Sequence, residues 1–139
     1  MRPGLRIVAG AAMYLVLLGQ MTGGAGQAPS QAPVSTRSGV YTAAQAARGK
    51  VLFGDVCNAC HPDPFWRQSW EGRRVGEVFR LIVDTMPDDN PGTMSARETA
   101  DVLAYIFESN GLPPGAAELS ADPMDLDAFV IEEPPPATP

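Results

Sequence analysis

The segment Cys57-Asn58-Ala59-Cys60-His61 constrains this chain more than any other. It contains both cysteines and the single histidine of the 139 residues. Two thiols two residues apart, followed at once by an imidazole, form the C-x-x-C-H spacing of covalent c-type haem attachment. Each thiol can add to one vinyl group of a porphyrin, and the histidine then lies where it can bind the iron. The expectation is one covalent haem c, held by Cys57 and Cys60, with His61 as the proximal iron ligand. One motif implies one haem.

The same residues have rival uses. A zinc site built on this pair lacks a clear fourth ligand, because the chain has no other Cys or His. A thioredoxin-like motif belongs among alternating strands and helices, and the pattern here is helical. A disulfide between Cys57 and Cys60 closes a very short loop and stabilises little.

The iron needs a sixth ligand, and a single histidine excludes two-histidine ligation within the chain. Downstream candidates are Met86, Met94 and Met124. A methionine is most often core filling. Met86 ends a predicted helix and precedes Pro87, in a turn suited to presenting its sulfur, so it is the favoured distal ligand. Met94 is the runner-up, although it also reads as a hydrophobic contact near a helix start. Met124 lies in an acidic tail. An open sixth position is the remaining possibility. A thioether ligand raises the reduction potential. With both axial positions filled, the expected chemistry is outer-sphere electron transfer, Fe(III) to Fe(II) and back. That describes an electron carrier with no catalytic residue, not an enzyme.

The N-terminus reads as an export signal over 1–28. Arg2 and Arg6 precede an uncharged, mostly apolar run from Ile7 to Leu18, and small residues near Ala25 and Ala28 offer cleavage points. The apolar run is shorter than the roughly 20 residues of a membrane span, so no stable span is expected. An uncleaved anchor is the rival reading. Export places the protein in the periplasm. Losing Arg2 and Arg6 with the signal takes the net charge from −6 to −8. Such acidity disfavours nucleic acid and anionic lipid as partners and suits a protein with a basic docking surface.

Residues 29–40 are rich in Pro, Gln, Ser, Ala and Gly and read as a flexible leader. Thr42-Ala43-Ala44-Gln45 fits a capping box, opening a helix that runs into the haem motif with Gly49 and Phe53 on one face. From 62 to 76 the chain reads as loop with Phe65, Trp66 and Trp70 embedded, and aromatics in a loop usually bury against something. Val75, Val78, Phe79, Ile82 and Val83 have helical spacing; Arg73 and Arg74 sit unfavourably at that helix's N-terminal side. Ser95-Ala96-Arg97-Glu98 is a second capping box. The helix it opens carries Ala100, Leu103, Ile106 and Phe107 inward and Arg97, Asp101 and Glu108 outward, and stops at Gly111. The acidic, Pro-rich stretch 116–139 reads as a tail with partial order at best, although Phe129-Val130-Ile131 could dock. The fold class is therefore all-α: three to four helices over 41–115, too thin a core without a central haem.

Several segments together resemble class I c-type cytochromes: Gly49-x-x-x-Phe53, Cys57-x-x-Cys60-His61, Trp70-x-Gly72, Thr85-Met86-Pro87, Asn90-Pro91-Gly92, Ala104-Tyr105-Ile106 and Asn110-Gly111-x-Pro113-x-Gly115. The similarity spans about residues 41–119 and is strongest in the C-x-x-C-H and Met-Pro elements. It looks like the small cytochromes, or cytochrome domains, associated with periplasmic quinoprotein dehydrogenases. The resemblance implies a small cytochrome c fold, His61 proximal and Met86 distal, with the first and last helices crossing near Gly49 and Tyr105. It implies redox partners such as a quinoprotein dehydrogenase and a terminal oxidase or another cytochrome. Pro62 and Met94 depart from the residues usual in that family. Three functions compete: a soluble periplasmic carrier, a haem subunit of a dehydrogenase complex docked through its leader or tail, and a haem binder or peroxidatic enzyme with an open iron. Thr85-Met86-Pro87 argues against the third.

Overall fold

The computed structural model describes residues 32–136. The expected export signal over 1–28 lies outside the described residues. Helix α1 (Ala43–Leu52) starts at Thr42, whose hydroxyl oxygen accepts from the Gln45 N–H at 3.2 Å. The reciprocal half of the expected box does not form. The Gln45 side chain is buried and turns to the tail, donating to the Leu119 carbonyl at 3.0 Å and accepting from the Leu119 N–H at 2.7 Å. A buried amide needs partners at both ends, and an incoming backbone supplies both. Beyond Leu52 the helix widens into a π turn, Phe53–Cys57.

Helix α2 (Val75–Thr85) buries Val75, Val78, Phe79 and Ile82 as their spacing predicts. Its first turn keeps Arg73 in contact with Glu77 four residues on, at 2.9 Å. Helix α3 (Ala96–Ser109) begins with the full Ser95–Glu98 capping box. The Ser95 N–H and hydroxyl hold the Glu98 carboxyl below the usual carboxylate range. It ends where Gly111 takes φ +80°. The Gly111 N–H donates to the Glu108 carbonyl at 2.9 Å and the Leu112 N–H to the Phe107 carbonyl at 3.0 Å. This double closure favours glycine, which enters the left-handed region without a Cβ penalty.

Helix α3 is buried from Thr99 through Phe107, a wider face than its apolar pattern implies. Asp101, expected on the wet side, is only 4% exposed. Arg48 of α1 donates to both of its carboxylate oxygens, from Nε and Nη2, each at 2.9 Å. Pairing of this fork-to-fork kind is what permits a buried carboxylate. Arg48 also reaches Glu118 at 2.9 Å, which ties the start of the tail to the same corner.

Helices α1 and α3 make the closest crossing of the fold, at Gly49 and near Tyr105. A Cβ on Gly49 would strike the Asp101 carbonyl and the Tyr105 side chain. The Phe53 and Tyr105 rings sit beside this point, 5.4 Å apart. Gly49→Ala improves helix propensity by about 1 kcal/mol, but it forces the backbones apart, and overpacking costs about 1–3 kcal/mol or more. We expect a net loss of stability in denaturant melting. Gly54→Ala, whose added Cβ meets nothing within 4 Å, serves as the reference that should lose no stability. A Gly49→Ala protein as stable as the wild type would refute the close-crossing account.

Packing extends past the 41–115 boundary at both ends. In the leader, β1 (Val34–Ser35) pairs in parallel with β2 (Phe129–Val130), placing Val34 opposite Phe129 and Ser35 opposite Val130. In the tail, Leu119, Leu126 and Ile131 are buried. Helix α4 (Pro123–Leu126) lies on α2, where Gly76 leaves no room between itself, Asp127 and Pro123. Arg80 donates to both Asp127 oxygens, at 3.1 and 2.6 Å. The Ile131 N–H donates to the Arg73 carbonyl at 2.9 Å, and the Gly72 N–H to the Ile131 carbonyl at 2.8 Å. The tail thus wraps the helices, whereas its sequence suggested partial order. Its three apolar anchors are spaced irregularly among acids, so no periodic signal announces them.

The result is a mostly helical fold with one two-strand sheet, in keeping with the all-α expectation in its broad form. No described helix is long and apolar enough to cross a membrane.

Candidate functional site

The π turn delivers the C-x-x-C-H segment to the edge of a cavity. The Asn58 N–H donates to the Phe53 carbonyl at 2.9 Å, the wide i to i−5 closure. The Cys60 and His61 N–H groups both return to the Cys57 carbonyl, at 3.1 and 2.9 Å. This tight chain reversal brings the two thiols and the imidazole to one side of the turn. Single π turns recur at functional sites. Both cysteines are free thiols. Cys57 is half-buried, and that desolvation raises its pKa, which favours the neutral thiol over the thiolate.

The cavity measures about 600 Å³, within the roughly 300–1,000 Å³ of small-molecule and cofactor sites. Cys57, Cys60, His61 and Met86, the four expected site residues, all line it. Its apolar walls come from Phe53 in the π turn, Phe65 and Trp70 in the following loop, Leu81 and Ile82 in α2, and Val102 and Ile106 in α3. Met94 lines it as well and is buried, while Met86 is half-buried. The two leading sulfur candidates therefore share one space. Met124 is 73% exposed and stands outside that lining.

Met86 is positioned by the end of α2. Its N–H makes the last helical bond, to the Ile82 carbonyl at 2.8 Å, and its backbone then turns extended into Pro87. Thr85 closes its hydroxyl onto the Leu81 carbonyl at 2.7 Å. A residue preceding proline is pushed out of the helical region, so the Met-Pro pair itself sets where the helix stops.

His61 packs its ring on Phe65, with centroids 4.4 Å apart and planes tilted 48°. Phe65 meets Trp70 edge-on at 5.5 Å, and Trp66 meets Trp70 at 6.1 Å. Trp70 is the buried member of this set, and Phe65 and Trp66 are half-buried. The loop aromatics thus bury against one another as well as on the cavity wall.

Three side-chain bonds hold that loop. The Tyr105 hydroxyl donates to Asp63 at 2.5 Å, the Asn110 amide donates to the Phe65 carbonyl at 2.9 Å, and the Trp66 indole donates to Glu71 at 3.1 Å. Burial, and then the Asp63 contact, pushes the Tyr105 pKa up to about 12. The Asp63 contact has no short-range signal in the sequence, since its partner lies on α3. At the cavity rim, Arg67, Asp88 and Asp89 are further lining residues that the sequence reading did not single out.

Chemically, the site offers two thiols, one imidazole and two thioethers around a largely apolar space. These are soft and borderline donors of the kind that bind transition metals. Among the described residues, no three His, Cys, Asp or Glu side chains are grouped to hold a bare metal ion.

No family model, no curated protein and no solved structure matches this chain.

Proposed function

We propose that this protein is a periplasmic electron carrier of the class I c-type cytochrome kind, with one covalent haem c under His61 and Met86 ligation. The observation that carries the reading is the convergence of Cys57, Cys60, His61 and Met86 on one apolar cavity of about 600 Å³. Those residues fit the group. A porphyrin needs apolar walls, two thiols at fixed spacing and axial donors, and each is present in the lining.

When bound, haem c supplies one-electron Fe(III)/Fe(II) chemistry. Cys57 and Cys60 would hold it through thioether bonds. His61 would serve as proximal ligand, its ring braced by Phe65. Met86 would serve as distal ligand, with Met94 the runner-up beside it. Phe53, Ile82, Val102 and Ile106 exclude water, and a dry, rigid surrounding limits reorganisation as charge changes. Tyr105 and Asn110 fasten the loop that carries Phe65, and so steady His61.

The second reading is a haem subunit of a dehydrogenase complex, such as a quinoprotein dehydrogenase, docked through leader or tail. The tail's apolar residues Leu119, Leu126 and Ile131 are buried in the chain itself, which supports the carrier reading over docking by that route. The donor to the carrier would be such a dehydrogenase, and the acceptor a terminal oxidase or another cytochrome.

The test is expression into a bacterial periplasm equipped for haem attachment. The full chain is expected to gain the mass of one haem, retained after denaturation, and to titrate reversibly as a single one-electron couple. Protein that matures without covalent haem would sink the proposal.

A further inference from the structure

We infer, on the Met86 ligation proposed above, that the tail positions the distal ligand: Asp127 and Ile131 hold helix α2 in register, and α2 sets where Met86 presents its sulfur. Met86 directly follows α2 and closes its last turn, so any slide or rotation of that helix moves it. The apolar residues that bury α2, Val75, Val78, Phe79 and Ile82, attract without direction. They leave the helix weakly specified along its own axis. A slip of one residue's rise is about 1.5 Å, more than the roughly 0.5 Å within which a working site must be held.

Directional bonds remove that freedom, and the tail supplies them. Among the described residues, the side-chain hydrogen bonds and ion pairs that leave α2 for another element run from Arg80 to Asp127, and none runs to α1 or α3. A guanidinium gripping both oxygens of one carboxylate fixes angle as well as distance. Just ahead of α2, the Ile131 backbone bonds to both Gly72 and Arg73, and the Ile131 side chain is fully buried. Gly76 brings the α2 backbone against Asp127 and the Pro123 carbonyl, with no room for a Cβ. The leader in turn holds the tail. The Val34 N–H donates to the Ala128 carbonyl at 2.9 Å, the Glu132 N–H donates to the Thr36 hydroxyl at 3.1 Å, and Arg37 pairs with Glu132 at 3.5 Å. Leader, tail and α2 thus form a series of directional contacts that ends at Met86. The matching fork from Arg48 to Asp101 joins α1 to α3 instead, so it bears on the core without gripping α2.

The test compares Asp127→Asn with Arg48→Gln in the haem-loaded full chain. Each breaks one bidentate fork, and only the first frees α2. Carbon monoxide binding to the reduced protein waits on release of the sulfur. In Asp127→Asn its rate should rise roughly threefold to fivefold, the scale of one partly exposed charge pair. The sulfur-to-iron band should vanish on warming before circular dichroism shows loss of helix. Amide hydrogen exchange at Met86, whose N–H closes the last turn of α2, should quicken by a similar factor. In Arg48→Gln the melting temperature should fall, but the band should persist until the helices melt, and carbon monoxide should bind at the wild-type rate. Arg80→Lys keeps the charge without the fork and should lie between wild type and Asp127→Asn. A wild-type rate and wild-type exchange in Asp127→Asn, or equal opening in Asp127→Asn and Arg48→Gln, would overturn the positioning role. A wild type with covalent haem but no sulfur-to-iron band refutes Met86 ligation itself, and exchange at Met86 in the same samples then decides separately whether the tail grips α2.

Discussion

Replacing Cys57 and Cys60 together with serine should abolish covalent haem and destabilise the native fold. Serine keeps the size and shape of the side chain but cannot form a thioether. The single variants are expected to keep one bond and a fraction of the haem, whereas the double variant keeps none after extraction with acidified acetone. The structural loss follows from the cavity. Some 600 Å³ lined by Phe53, Phe65, Trp70, Ile82, Val102 and Ile106 is too large and too apolar to stay open without a penalty. Apolar surface left without its filling group destabilises a fold, and a domain of this size has only about 5–15 kcal/mol in total. Loss of the filling group is therefore expected to lower stability, and circular dichroism should show a lower and broader thermal transition. Retention of covalent haem by the double variant would be fatal to the reading of the C-x-x-C-H segment.

The second large effect is at Met86. Met86→Ala should remove the sulfur-to-iron absorption band in the near red and let reduced protein bind carbon monoxide. It should also lower the potential by roughly a few tenths of a volt, within the ~0.8 V that axial ligation spans. Met94→Ala tests the runner-up in the same cavity. Met94 is the more buried of the two, so its truncation should cost about 2–5 kcal/mol of stability as a core change and leave the band in place. The two variants thus separate a ligand from a packing residue. If Met94→Ala loses the band and Met86→Ala keeps it, the assignment reverses. If neither loses it, a methionine ligand is excluded.

Much of the helical scaffold is legible from local rules. Ser95 and Glu98 cap α3 as a short-range motif, and Gly111 ends it at a positive φ. The row of apolar residues in α2 buries as spaced, and Met86-Pro87 stops that helix. Each of these depends on neighbours within about one turn, so a single sequence carries the signal.

What escapes the sequence depends on partners far along the chain. Gln45 has the spacing of a capping residue, but the tail offers its amide a buried pair of bonds 74 residues away. Asp101 has the pattern of a wet face until Arg48, 53 residues earlier, supplies a fork for its carboxylate. Residues 116–139 read as an acidic tail because local composition cannot reveal that Leu119, Leu126 and Ile131 are buried.

The sequence by itself determined the chemical inventory and the helix ends: two thiols and an imidazole at one spacing, methionines downstream, and caps around them. Only the tertiary structure decided that Cys57, Cys60, His61, Met86 and Met94 line one cavity, and that leader and tail close over the helices. The physical reason is one of range. Capping and periodicity act between near neighbours and are written in short windows, whereas burial and pairing act between segments whose distance along the chain carries no information about their distance in space.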